Sequence, residues 1–197
     1  MSDPKAELVE PLAKLNDAVL SKLEGLGEYD LRRPMTPTGT NLLGIVKHLA
    51  SVQAEYFGDV FGRRWPEPMP WLGEGSEIND DMFATADEAS AWVLDFYRQS
   101  WAHATETIAS ATLDDVGEVS WWPEERRHPT LRAVVLHMTA ETARHAGHID
   151  IVRELIDGAA GRFAGDASIA SDDEVDWPAY TAKVEAAARQ APDPMVL

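Results

Sequence analysis

Residues 131–158, LRAVVLHMTAETARHAGHIDIVRELIDG, decide how this chain is read. An α-helix turns about 100° per residue. With His137 at zero, His148 falls at about 20°, Glu141 at about 40° and His145 at about 80°. The apolar residues occupy the same arc: Leu155 at about 0°, Val134 and Val152 at about 60°, Met138 at about 100°, Leu131 and Ile149 at about 120°. Arg132, Asp150 and Glu154 lie opposite. Thr130 suits an N-cap and Gly158 a helix stop, so the pattern predicts a long helix whose His/Glu row points at the core.

That placement has a chemical consequence. An ionised glutamate taken out of water costs several kcal/mol unless a cation or strong donors meet it. Imidazole and carboxylate four residues apart on one helix can reach a single metal ion, which supplies the missing charge. Read singly, these residues have plainer explanations. Glu141 could pair with Arg144 or Arg153, and His137 or His148 could be hydrogen-bonded core histidines. Four ligand-type residues in one apolar arc point instead to a metal, with His148 better placed to support a ligand than to be one.

Working outward, a further ligand is expected from another helix. In residues 38–63, TGTNLLGIVKHLASVQAEYFGDVFGR, the one histidine is His48, beside Ile45 and Val52 at the margin of an apolar arc. This segment is expected to be helical over 41–61, capped by Thr40. His103 competes from another helix expected over 87–111, capped by Asp87, with Val93, Phe96, Tyr97, Ser100, Ala104 and Ile108 on one face. His128 precedes Pro129 and is expected to be exposed.

A first helix is marked by Asp3, Pro4 and the spacing of Leu8, Leu12, Leu15, Val19, Leu23 and Leu26, ending near Gly25 and Gly27. RRPMTPTGT is expected to be a loop, and WWPEERRHP, further on, to be irregular. Residues 62–86 are rich in proline and glycine, the composition of a long loop that is functional or packed as a lid. Trp65 and Trp71 within it could line a pocket or plug the bundle end. Past Gly158 a small, polar linker leads to a short helix over 176–191, with Trp177, Tyr180 and Val184 expected toward the body of the protein. The expected architecture is all-α: a four-helix bundle over 1–160 with long connecting loops, then a linker and C-terminal helical tail over 161–197.

Composition narrows the function. A chain of 197 residues fits one domain with a modest appendage, and 45% hydrophobic content is ordinary for a soluble fold. The N-terminus MSDPKAELVEPLAKL has neither a basic leader nor an apolar signal core, so a cytoplasmic protein is expected. With no cysteine, the chain supplies no thiolate ligand or nucleophile. A formal charge of −17 disfavours nucleic acid and anionic membranes as partners.

GTNLLGIVKHLASVQAEYF, followed about ninety residues later by TLRAVVLHMTAETARHAGHIDIVRELIDG, resembles the DinB/YfiT-like superfamily. The resemblance covers roughly residues 7–160. It implies a four-helix bundle, often dimeric, with three metal ligands. The histidine of the KHL-type motif corresponds to His48, and two residues four apart on the last bundle helix correspond to Glu141 and His145. Many relatives carry histidine where this chain has Glu141; a glutamate there is similar to the mycothiol-dependent maleylpyruvate isomerase group. A common pattern has glutamine in place of His148, which leaves a fourth ligand open.

The resemblance implies a divalent metal, zinc first with nickel or iron(II) as alternatives. It also implies a small-molecule thiol and an electrophilic substrate, joined by a thiol-dependent S-transferase or isomerase reaction, and a homodimer. Metal-dependent hydrolysis and a non-enzymatic metal-binding stress or interaction protein are the competing readings.

Overall fold

The computed structural model describes residues 3–166, 168–171 and 173–191. The chain divides into two compact units, Met1–Ala164 and Gly165–Leu197. The first is all-helical: α1 Pro4–Ser21, α2 Glu28–Arg32, α3 Leu42–Phe57, α4 Ser90–Ser110 and α5 Leu131–Asp157, the four long helices forming a bundle. The second contains α6 Trp177–Gln190, capped by Asp176; no residue of α6 is buried, Trp177, Tyr180 and Val184 included, against the expectation for that face. Among the described residues no helix is long and apolar enough to cross a membrane.

Local signals place most of these helices. Asp3 accepts from the Lys5 amide and Pro4 opens α1; Thr130 accepts from the Ala133 amide, and Gly158 ends α5 in the left-handed conformation that favours glycine. The α4 face is as the spacing predicts, with Val93, Phe96, Tyr97, Ser100, Ala104 and Ile108 all buried. One end of the bundle core gathers Leu42, Leu49, Val93, Tyr97 and Ile149, the other Leu12, Phe57, Ala104, Leu131, Val134 and Met138. Each Leu, Val, Ile, Phe or Met among them contributes roughly 1.5–3 kcal/mol on burial.

Four expectations need correction. The short α2 follows Gly27 where the sequence offered only the approach to a loop. The cap of α3 is Asn41, not Thr40: its Oδ1 accepts from the Gly44 amide at 2.7 Å. That helix stops at Phe57 rather than 61, because the chain turns tightly at Gly58, where a Cβ would lie 2.2 Å from the Ala54 carbonyl oxygen. Asp87 caps nothing; α4 begins at Ser90, while the carboxylate of Glu88 accepts from the Thr85 amide and from Lys47.

The long segment 62–86 folds back onto α3 and α4. Trp65 and Trp71 belong to the core, Trp65 against Phe96 and His103, Trp71 donating to Ser51 Oγ at 2.8 Å. They therefore plug the bundle. A different part of the segment reaches the histidine row. Lys47, fully buried, donates to the carbonyls of Asp80 (3.2 Å) and Phe83 (3.1 Å) and to Glu88 (2.9 Å). Asn41 Nδ2 donates to the Met82 carbonyl, and Gly44 lets that carbonyl approach so closely that a Cβ would sit 1.8 Å from it. Residues 80–83 are thus clamped across α3, and Asp81 is carried with them.

Candidate metal centre

α3 is buried along almost its whole surface; its partly open positions, His48, Val52 and Glu55, form one stripe at i, i+4 and i+7. α5 runs beside it and presents Glu141 and His145, one turn apart. The three side chains converge: one ligand atom each from His48, Glu141 and His145 lie within 4.8 Å of one another. Glu141 Oε1 is 3.1 Å from His145 Nε2 and 3.4 Å from His48 Nε2, and the two imidazole rings are 4.9 Å apart.

The sequence wheel placed this row inside the core. In the structure the buried arc of α5 is centred further round, at about 100°, with Val135 and Thr142 extending it. Leu155, expected inside, is 65% exposed, and His148 is exposed too. His145 is buried, whereas His48 and Glu141 are only partly so. The cluster therefore sits at the margin between core and solvent, where a ligand can reach it.

Asp81 completes the arrangement. Its Oδ2 lies 2.6 Å from His48 Nδ1. A carboxylate on one ring nitrogen favours the tautomer with the proton there, so that in the neutral ring the opposite nitrogen, Nε2, would turn its lone pair toward Glu141 and His145. Burial alone would lower the His48 pKa, but hydrogen bonds and charge from Asp81 and Glu141 outweigh it and raise it. His145 moves down, first through burial and then through repulsion from His48, which favours the neutral, ligating form. Burial works against the Glu141 carboxylate, yet hydrogen bonding from His48 and the charges of both histidines keep its pKa below the ordinary value.

The residues fit a divalent cation. Two imidazoles and a carboxylate are a borderline-soft donor set of the kind that zinc, nickel and iron(II) accept. Three basic groups share one small space, and a cation placed among them would meet the Glu141 charge that the two histidines otherwise meet. The Nδ1 of His145 is buried with no hydrogen-bond partner, so among the described residues Glu141, 3.1 Å from Nε2, is the hydrogen-bonding group that orients this ring.

A family model described as mycothiol-S-transferase matches residues 7–158 and so takes in α1, α3, α4, α5 and the whole histidine–carboxylate cluster. The chain belongs to that family. No curated protein matches it.

In this family member the remaining histidines have other employment. His103 Nε2 is 2.7 Å from the Arg63 carbonyl, and its ring meets Trp65 edge-on. His137 rests against Tyr56 and Trp122, His148 stands 5.3 Å from the His145 ring, and His128 is exposed. A cavity of about 860 Å³ lies between α1 and α5, and no histidine lines it.

Two residues of the site escaped the sequence reading. Asp81 is one of several acidic residues in an irregular segment, and its approach depends on the clamp made by Asn41, Gly44 and Lys47. Glu55 could have been found from its i+7 relation to His48. Its carboxyl is pushed up to about 7, chiefly by burial and then by the charges of Asp59 and Asp81.

Proposed function

We propose that this protein is a metal-dependent S-transferase that uses a low-molecular-weight thiol of the mycothiol type, with His48, Glu141 and His145 as the metal ligands. The observation that carries the proposal is the meeting of two imidazoles and one carboxylate at the solvent margin of a mycothiol-S-transferase bundle. Zinc is the expected ion, with nickel and iron(II) as alternatives. When bound, such an ion lowers the pKa of a coordinated thiol as it does that of water.

The chain's own residues do the rest. Asp81 orients His48, and Glu141 balances positive charge at the centre. Glu55, on the same open stripe of α3, exchanges a proton near neutrality and is suited to receive the one the thiol gives up. The sulfur then forms a bond to an electrophilic carbon, and the leaving group departs with its electron pair. Where the electrophile is instead a conjugated alkene, the thiolate adds to it without loss of a leaving group, the new single bond rotates, and expulsion of the thiolate restores the double bond in the other geometry, an isomerisation. The chain has no cysteine, so the nucleophile arrives with the cosubstrate. We also propose a homodimer.

The test is consumption of mycothiol in the presence of an alkylating electrophile by metal-loaded, tag-free protein. Turnover should require both thiol and metal and fall at least about 100-fold in His145→Ala. Turnover of an ester or amide with metal but no thiol would select a hydrolase instead. Absence of both activities in metal-loaded protein would select a binding role.

A further inference from the structure

One turn from Glu141 toward the start of α5 stands a wall of aromatic rings. His137 packs at 4.8 Å from the Tyr56 ring and edge-on to Trp122 at 5.2 Å. Trp122 Nε1 donates to the Tyr56 hydroxyl at 3.0 Å, and Trp121 meets Tyr56 edge-on at 5.5 Å. Arg126 lies over the Trp122 ring, its guanidinium carbon 5.1 Å from the centroid. Tyr56 is buried and anchors the group to α3, whereas Trp121 leaves half of its surface in water.

The loop that carries these residues is held in place by its backbone. Val119 donates to the Arg127 carbonyl at 2.8 Å, Gly117 to the Pro129 carbonyl at 2.9 Å, and Glu118 to the Val60 carbonyl at 3.0 Å. Gly117 permits this contact, because a Cβ there would lie 2.5 Å from Val60 Cγ1. The wall is a fixed surface joined to α3 and α5, the two helices that supply the histidine–carboxylate cluster.

Charge makes the wall selective. On a chain of net charge −17, its neighbour Arg127 pairs with Glu124, but Arg126 forms no ion pair among the described residues. A guanidinium held against a ring and left without a carboxylate is a ready anion partner. His137 packs against the same Trp122 ring that Arg126 covers, and it stands one turn from Glu141 on α5.

We propose that Trp121, Trp122, His137 and Arg126 form the subsite for the electrophilic cosubstrate, a planar conjugated or aromatic molecule bearing a carboxylate. Its flat face lies against Trp121 and its carboxylate meets Arg126, which leaves the reactive carbon directed toward the thiol. This rests on the thiol-transfer reading of the neighbouring centre for its role, but the binding itself needs no metal.

The experiment is calorimetric titration of the full chain with 2-naphthoate and with its neutral counterpart naphthalene-2-carboxamide. The wild type should bind the carboxylate at least about tenfold more tightly than the amide. Arg126→Gln should abolish that preference. Trp121→Ala should weaken both ligands by about threefold to tenfold while keeping the preference. Removing metal with chelator should leave the naphthoate affinity within about twofold. The proposal is overturned if the wild type binds neither probe, if Arg126→Gln retains the preference, or if chelation abolishes binding, since the carboxylate would then sit on the ion. Because the readout is affinity and survives chelation, failed thiol transfer leaves this result standing, and a missing subsite leaves thiol transfer to be judged by its own assay.

Discussion

At the scale of single residues, the centre depends on which nitrogen of His48 carries a proton, and Asp81 sets this through a 2.6 Å contact. Asp81→Asn keeps the size of the side chain but removes the carboxylate that favours Nδ1–H. It should weaken metal binding by about 10–100-fold, measured by competition with a chromophoric chelator. Glu141→Gln should also weaken binding, yet change the metal-free melting temperature little, because Glu141 is only partly buried. Equal destabilisation with and without chelator would reassign Glu141 to a structural ion pair.

Glu55 gives a pH signature. Its folded pKa of about 7 lies above the ordinary carboxylate value of 4.5. The native state therefore binds this proton more tightly than the unfolded state does. The stabilisation from it is complete below the unfolded pKa and is lost as pH rises through about 7. Glu55→Gln should accordingly raise stability by about 1 kcal/mol at pH 8, a figure discounted for partial exposure, and change it little at pH 4.5. Thermal melts of chelated protein at the two pH values decide; equal shifts at both would contradict the assignment.

At the scale of elements, the periodicity of α5 was legible because its apolar and ligand-type residues repeat at helical spacing. What periodicity could not give was the centre of the buried arc, which depends on how α1 and α3 pack against the helix. Leu155 and His148 were accordingly placed too deep. The contribution of α3 to the cluster was legible from His48, but the partner holding that ring was not. Asp81 approaches through an irregular segment, and no repeat in the sequence marks the clamp. The residues of that clamp lie in the same motif as His48. Gly44 accepts the Met82 carbonyl where a Cβ would clash, and Lys47 grips the chain on either side of Asp81. Gly44→Ala should cost at least about 2 kcal/mol in chemical denaturation and weaken metal binding as Asp81→Asn does. Unchanged metal affinity in a folded Gly44→Ala would show that the clamp does not position Asp81. By contrast His103→Ala should leave metal content intact, since His103 is occupied by the Arg63 carbonyl and Trp65.

At the scale of the whole molecule, the centre ties α3 to α5, so a bound ion should stabilise the bundle by linkage. At about 100 times its dissociation constant, an ion adds about 2.7 kcal/mol. The proposed dimer is open to sedimentation velocity. Leu136, Ile151 and Leu155 are exposed apolar positions on α5. If they form the dimer face, Ile151→Glu should yield a monomer that keeps its metal. The proposed chemistry depends on an ion at His48, Glu141 and His145. Elemental analysis of tag-free protein after exhaustive buffer exchange, with His48→Ala and His145→Ala measured beside it, tests this most directly. The wild type should carry about one divalent ion per chain, with near-complete loss in both variants. A wild type that takes up no ion, or folded variants that retain the full amount, would contradict the proposed site.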